Sequence, residues 1–220
     1  MEKILYERDI LAMEKQFRTE LINSISGFKS AVLIGTANAA GNTNLAIFSS
    51  FIHIGSNPPL FGFITRPTSV PRHTYQNIKA TGYFTANHIH EEILLPAHQT
   101  SARYDENTSE FDATGLTPWY SSIFPAPYVK ESHVKLGLTF AEEHPIEANG
   151  TILIIGRLVE VRLPEVAIAE DGLVRLEKAG SLAISGLDVY HSPRKIARLS
   201  YAKPGREPQI AEGPEDEKSS

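Results

Sequence analysis

The polar segment Arg66–Asn87 carries residues suited to binding a small anion. Two guanidinium groups and three hydroxyl groups lie close together along it, at Arg66, Thr68, Ser69, Arg72 and Thr74. Pro71 is a favoured first residue of a helix, and a helix beginning there would direct free backbone N–H groups at the same place. Guanidinium groups match phosphate oxygens with forked donors. The sequence therefore predicts a phosphate site at the start of a short helix that runs to Lys79.

The segment lacks the common nucleotide-binding motifs. No G-x-x-x-x-G-K precedes it, and no G-x-G-x-x-G opens a βαβ unit in the 220 residues. Short polar motifs also occur where residues only cap a helix and hydrate a surface. On local composition, a phosphate site and a capped surface helix therefore both stay open.

Composition narrows the range of partners and chemistries. The formal net charge of -5 and the pI of about 5.9 argue against a nucleic-acid or anionic-membrane surface. The absence of cysteine excludes disulfides, thiolate catalysis and cysteine metal sites, so redox chemistry would need a bound cofactor. No secretion signal or bilayer-length apolar run is recognisable, which predicts a cytoplasmic protein with no membrane partner.

The hydrophobic pattern predicts a mainly β chain with a few helices. Apolar residues at helical spacing predict one amphipathic N-terminal helix, at Ile10, Met13, Phe17, Leu21 and Ile25. Six segments read as strands: AVLIGT, TNLAIFSSF, LFGFIT, YFTAN, HVKLGLTFAEEH and GTILIIGRLVEVRL. Because strands outnumber helices without βαβ alternation, an antiparallel barrel fits best. Residues 1–202 are expected to form a single domain, and the charged, Pro- and Gly-rich residues 203–220 a disordered tail.

The order of several motifs resembles the flavin reductase-like family. The series runs from TNLAIFSSF through NPP to RHTYQNI, continues in a strand that ends in Asn87, and closes with SEFDATGL. The resemblance spans roughly Ser26 to Tyr201. It implies an FMN-binding split barrel, a six-stranded antiparallel β-barrel of Greek-key type. It also implies a homodimer with FMN bound at the edge of the interface.

The resemblance carries cofactor-binding roles to eleven positions. Along the ring and ribityl chain it places Asn44, Ala46, Ser49 and Ser50; at the phosphate Arg66, Arg72, His73 and Thr74; and nearby Asn77, Asn87 and Ser101. Asn77 would hold the helix, and Glu110 is expected to fix a loop rather than touch substrate. Alternation puts Asn44 and Leu45 on opposite strand faces, so a bulge or an edge position is needed for the strand to contribute as a whole.

The implied activity is hydride transfer from NADH or NADPH to the flavin, in an FMN-binding oxidoreductase. The cofactor supplies the reactive chemistry, so no residue is assigned as a catalytic acid or base. An FMN carrier or a flavoredoxin-like electron-transfer protein is the alternative. No fingerprint distinguishes NADH from NADPH.

Other residues of reactive type have simpler interpretations. His88, His90 and His98 are expected to pack in loops or at the surface rather than bind a metal, because His-x-His places two rings on different helix faces. The aromatic stretch Pro118–Tyr128 is open to three interpretations: core, dimer contact or pocket wall. Together with Gly186–Tyr201 it is more apolar than a small barrel could cover by itself, which predicts a second copy.

Overall fold

The computed structural model describes residues 1–105 and 107–212, and their fold is mainly β with short helices. Within these ranges the helices are α1 Glu7–Ala12, α2 Lys15–Ser24, α3 His73–Thr81, α4 Leu94–Gln99 and α5 Glu110–Thr114, with 3-10 turns at Glu91–Ile93 and Glu165–Ala167. The strands are β1 Lys29–Ser30, β2 Val32–Ala37, β3 Thr43–Phe48, β4 Ile52–Ser56, β5 Pro59–Thr65, β6 Tyr83–His88, β7 Pro118–Trp119, β8 Tyr128–Val129, β9 Lys135–Ile146, β10 Thr151–Arg162, β11 Ala183–Ser185, β12 Val189–His191, β13 Arg198–Leu199 and β14 Ile210–Glu212.

The central sheet has seven strands in the order β3-β2-β6-β9-β10-β5-β4, and the paired strands are antiparallel. Strand β5 precedes β6 in the chain but lies beside β10, which is a Greek-key connection. Of the seven strands in this sheet the sequence predicts six, and the one it misses is β4. The chain leaves β3 at Ser49 and re-enters the sheet at Ile52 on the opposite edge, so one apolar run holds two strands.

The two edges of this sheet lie close together. Strands β3 and β4 form opposite edges, yet only residues 49–51 separate them in the chain, which limits the gap to about 15 Å. The ring centroids of Phe48 in β3 and Phe63 in β5 are 4.7 Å apart. Ser50 bridges the same opening, because its Oγ donates to the Ile64 carbonyl at 3.2 Å and accepts from the Ile64 N–H at 3.0 Å. The sheet is therefore curled on itself.

Apolar residues pack on both faces of the curled sheet. One cluster includes Val32, Ile34, Phe63, Phe84, Leu138 and Ile154, with Ile78 of α3. A second cluster on the opposite face includes Leu33, Leu45, Ile89, Phe111, Val129 and Leu182. Consecutive strand residues alternate between the clusters, as expected for a strand buried on both sides. The first cluster fills the inside of the curl, and the second holds the long connections against the outside.

Helix α3 begins two residues later than Pro71 predicted. Arg72 is its N-cap residue, and its side chain makes no capping hydrogen bond. The helix ends at Thr81, two residues beyond the predicted Lys79, and its C-cap residue Gly82 has a φ of 78°, which favours a residue without a Cβ atom. Ile78 is fully buried in the inner cluster, so this helix is anchored to the inside of the sheet.

The N-terminal segment forms two helices rather than the single predicted one. The break falls at Met13, and Glu14 caps the second helix by accepting from the N–H groups of Gln16 and Phe17. Neither helix has a buried residue. The apolar spacing is compatible with one continuous helix, but the Glu14 carboxylate caps a new helix start and so divides the segment in two.

The C-terminal segment is described as far as residue 212. Strand β14 pairs with β13, so part of the predicted tail is ordered by main-chain pairing. Glu212 also pairs with Lys195 and Arg198. Residues 213–220 of the predicted tail lie outside the described residues. In the described ranges, no helix combines the length and the apolar character needed to cross a membrane.

Candidate functional site

Strand β3 lies at an edge of the central sheet. Because its residues alternate between two faces, the whole strand can contribute to one site only from a bulge or from such an edge position. Its partner β2 pairs through Ile34↔Ala46 and Thr36↔Asn44. On the other side, the Leu45 N–H donates to Oε2 of Glu110 at 2.9 Å, so the main-chain groups of Leu45 point away from β2. Because this direction alternates along a strand, the N–H and C=O of Ile47 share the outward direction. The strand thus directs side chains to two faces and main-chain groups to its open edge.

A buried polar network joins β3 to helix α3. The Nδ2 amide of Asn44 donates to Oγ1 of Thr74 at 3.0 Å and to Oγ1 of Thr36 at 3.3 Å. Asn77 Nδ2 donates to the same Thr36 hydroxyl at 3.1 Å. All four side chains are buried. The structure therefore brings three predicted site residues together, but their side chains face one another. Asn77 ties helix α3 to β2 through the Thr36 hydroxyl, and Thr36 is the member that sequence reasoning missed.

The cationic residues lie on the connection between β5 and α3. Arg66 directly follows β5 and is exposed, whereas Arg72 is half-buried and donates from Nε to the Pro67 carbonyl at 3.2 Å. The bond to Pro67 closes the connection into a compact turn ahead of the helix. With no side chain capping this end, the first N–H groups of the nine-residue helix remain directed at the connection. The predicted combination of cations and a helix start is present in the structure.

Glu110, which the sequence predicts to fix a loop, lies in helix α5 and ties that helix to β3 through the Leu45 N–H. Burial raises the pKa of the Glu110 carboxyl, and the opposing effects of the Leu45 N–H bond and of nearby His73 are weaker. The preceding Ser109 shares a 2.7 Å hydroxyl contact with Thr43. Helix α5 therefore covers the beginning of the β3 edge and leaves its later part to other partners.

The remaining predicted residues are more scattered. Ala46 and Ser49 are half-buried on β3 and just after it. Asn87 is fully buried; its Nδ2 donates to the Leu33 carbonyl and to Thr85, and its Oδ1 accepts from the Val129 N–H, so it holds β8 against the sheet. Ser101 is exposed in a turn where its N–H donates to the His98 carbonyl. Within the described ranges, Ser101 makes no hydrogen bond to a residue of β3 or α3.

His88, His90 and His98 each contact a different part of the chain. His88 Nδ1 lies 3.0 Å from Ser181 Oγ, and burial lowers the pKa of His88 to about 4. His90 stacks on His133 with ring centroids 4.0 Å apart, and His98 Nδ1 lies 2.9 Å from the Tyr190 hydroxyl. Among the described residues, no three His, Asp or Glu side chains are grouped as metal ligands.

The aromatic stretch divides between core and surface. Phe124 and Tyr128 are buried in a small cluster with Trp119 packed against them, and the Arg162 guanidinium lies 4.7 Å from the Trp119 ring centre. Burial raises the pKa of the Tyr128 hydroxyl, with nearby Glu160 adding to the effect. Tyr120 and Ile123 remain exposed. Phe124 and Tyr128 are therefore core of this chain, whereas Tyr120 and Ile123 are surface.

Comparison with known proteins agrees with this architecture. A crystal structure from Shewanella frigidimarina, described as a candidate flavin reductase with a split barrel domain, is 50% identical, with a TM-score of 0.88 over 91% of this chain and 100% of that one. Nitrilotriacetate monooxygenase component B from Bacillus cereus shares the fold, with a TM-score of 0.79 at 20% identity over 90% of this chain and 100% of that one. The uncharacterized protein YwrF from Bacillus subtilis is 29% identical over 161 residues, 68% of this chain and 78% of its own.

The family match covers both halves of the candidate site. Residues 25–178 match the model of the flavin reductase like domain, which takes in β3, α3 and α5. This range and the half-identical split-barrel structure confirm the resemblance drawn from the motifs. The chain belongs to the flavin reductase-like domain family.

Proposed function

We propose that this protein is an FMN-binding oxidoreductase that passes hydride from NADH or NADPH to the flavin. The observation that carries the proposal is the open edge of β3, which lies beside a helix start with cationic residues ahead of it. Such an edge offers main-chain donors and acceptors in a row, as a planar heterocycle with N–H and C=O groups requires. Membership of the flavin reductase-like family is the reason for proposing a flavin as this heterocycle, and the site residues are compatible with it.

The phosphate end would be held by charge and by the helix. Arg66 is exposed after β5, and Arg72 stands at the N-cap with its Nε directed to the Pro67 carbonyl. The remaining guanidinium donors of Arg72 and the first N–H groups of α3 can bind phosphate oxygens. Because Thr74 is turned inward to Asn44, its side chain supports the site and its backbone N–H is the group offered to the phosphate.

The ring would lie along the later part of the β3 edge, next to Ile47 and Ser49. Here the chain provides main-chain hydrogen-bonding groups and half-buried side chains. When bound, the flavin accepts and returns a hydride equivalent, and the surrounding residues orient it and limit water. Asn44, Thr36 and Asn77 hold the helix that sets the distance between the phosphate and ring ends.

A homodimer is part of the proposal. The N-terminal helices leave Phe17, Ile22 and Ile25 exposed by 45% or more, and Tyr201 is exposed by 88%. A second copy would cover such surfaces in a two-fold contact and could close the open side of β3. A cytoplasmic location is retained as a prediction.

Anaerobic stopped-flow absorbance tests the activity. We expect the FMN-loaded protein to bleach at the flavin band on mixing with NADH or NADPH, much faster than free FMN under the same conditions. If neither donor reduces bound flavin faster than free flavin, the reductase proposal is wrong, and an FMN carrier or electron-transfer protein takes its place. Free flavins added as acceptors then show whether the electrons leave on a second flavin.

A further inference from the structure

The described residues that line a second concave site include none from β3 or α3. It is a cavity of about 450 Å³ between β1, β11 and the C-terminal residues 193–198, which we call the C-terminal strap. This volume falls within the range of about 300–1,000 Å³ typical of small-molecule sites. The strap lies beyond residues 25–178, the part that matches the family. The cavity is therefore built partly by an extension of the family domain.

The walls of the cavity are largely apolar. Side chains from three parts of the chain contribute, among them Phe28, Leu173, Leu176, Leu182 and Pro193. Phe28 is 74% exposed, and Leu173 and Leu176 are each exposed by more than 40%. These side chains can bury further area against a ligand with an apolar body.

Positive charge surrounds the apolar walls. The lining cations are Lys29, Arg175, Arg194, Lys195 and Arg198, and among the described residues that line the cavity Glu177 is the only acid. Asp171 and Glu212 pair with Arg198, and Glu212 also with Lys195. The Lys29 ammonium instead donates to two main-chain carbonyls, of Asn23 at 3.0 Å and of Gly186 at 3.3 Å. Carbonyls carry no net charge, so the Lys29 charge is not neutralised by them.

Arg194 adds a second charge at the rim. It is exposed, and no carboxylate within residues 1–105 and 107–212 pairs with it. Polar groups are also present at the wall, where Ser181 Oγ lies 3.0 Å from His88 Nδ1. The cavity thus combines apolar walls, a positive rim and a polar pair.

We propose that this cavity binds a small organic anion with an apolar body, of the class of aromatic carboxylates. The carboxylate binds at the rim formed by Lys29 and Arg194, and the apolar body lies against Phe28 and Leu176. None of the described residues that line the cavity is one of the residues assigned to the flavin, so the binding is a second function beside flavin reduction.

Calorimetric titration of the full-length protein with 1-naphthoate tests the proposal. Neutral 1-naphthalenemethanol has the same ring system without the charge and is the matched control ligand. We expect the anion to bind with one site per chain and the alcohol at least tenfold more weakly. Arg194→Gln should weaken the anion about fivefold, as expected of one exposed charge contact. Arg206→Gln, an exposed arginine outside the cavity, should leave the affinity unchanged.

A cavity-filling variant tests the place of binding. Ala197 lines the cavity from the strap and is exposed, so Ala197→Phe should reduce naphthoate affinity about tenfold or more while FMN binding is retained. Equal affinity for the acid and the alcohol, or equal effects of Arg194→Gln and Arg206→Gln, would overturn the proposal. So would naphthoate binding only to diluted monomer, because a second copy would then fill the cavity. If Ala197→Phe disturbs folding, the comparison of Arg194→Gln with Arg206→Gln is the deciding test.

Discussion

The Nδ2 amide of Asn44 donates a 3.0 Å hydrogen bond to Oγ1 of Thr74, joining the edge strand β3 to the first turn of helix α3. The family resemblance predicts that both residues contact the cofactor directly. Both side chains are buried and bonded to each other, and we propose that they act as positioning residues, which hold the main-chain edge of β3 and the helix start in one fixed relation.

Removing the Asn44–Thr74 hydrogen bond should lower the free energy of unfolding more than it weakens FMN binding. Thr74→Ala leaves the buried Asn44 amide with only the longer Thr36 bond, so we expect a loss of about 1–3 kcal/mol in the free energy of unfolding. Urea denaturation measures it. Thr68→Ala, on the exposed preceding turn, is the control and should change stability by less than about 0.5 kcal/mol. Equal stability of the two variants would show that the network is unimportant.

Arg66 should distinguish FMN from riboflavin. Arg66→Ala removes a charge-assisted phosphate contact but no ring contact, so FMN affinity should fall by about 1.5–3 kcal/mol while riboflavin affinity stays nearly constant. Fluorescence quenching titrations of both flavins measure the difference, with Lys203→Ala as an exposed-cation control. Parallel losses for the two ligands would move Arg66 away from the phosphate.

The buried Glu110 carboxyl should lower the free energy of unfolding as it loses its proton with rising pH. Burial raises its pKa in the folded state, so the folded protein holds the proton more tightly than the unfolded chain. The stabilisation is complete below the ordinary carboxyl pKa and is lost above the folded value. Glu110→Gln should therefore be more stable than the natural protein at neutral pH, an advantage that shrinks on acidification. Chemical denaturation at several pH values checks this, and a pH-independent difference would contradict it.

Protonation of the buried His88 should lower the free energy of unfolding as pH falls, which is opposite to the effect of Glu110. Its pKa of about 4 lies below the ordinary value near 6.5, so protonation favours the unfolded chain as pH falls through this window. The loss attributable to His88 should be on the order of 2–3 kcal/mol between pH 6.5 and 4. His88→Gln should remove that part of the acid dependence. His144→Gln, at an exposed histidine, should leave it unchanged.

Flavin affinity should depend on the association of two chains. If a second copy closes the open side of β3, diluted apoprotein should bind FMN more weakly as the dimer dissociates. Light scattering during an FMN titration at several protein concentrations follows both quantities together. A monomer that binds FMN as tightly at the lowest concentration would refute a shared site.

The sequence by itself determined the local features whose cause is local. Alternation placed Asn44 and Leu45 on opposite faces of β3, Gly82 ended α3 because it can adopt a positive φ, and the motif series led to the family that the comparisons confirm. The cation-bearing connection ahead of α3 also follows from adjacent residues.

The tertiary structure decided what depends on distant partners. The local sequence does not show that Ser49–Phe51 connects opposite edges of the sheet. That connection depends on the hydrogen bonds between Ser50 and Ile64 and on the ring contact between Phe48 and Phe63. In the same way Thr36 joins the network only because β2 brings it beside Asn44 and Asn77. The C-terminal strap is placed by ion pairs between separated segments. Each is a contact between residues far apart in the chain, and local propensity carries no signal for such pairing.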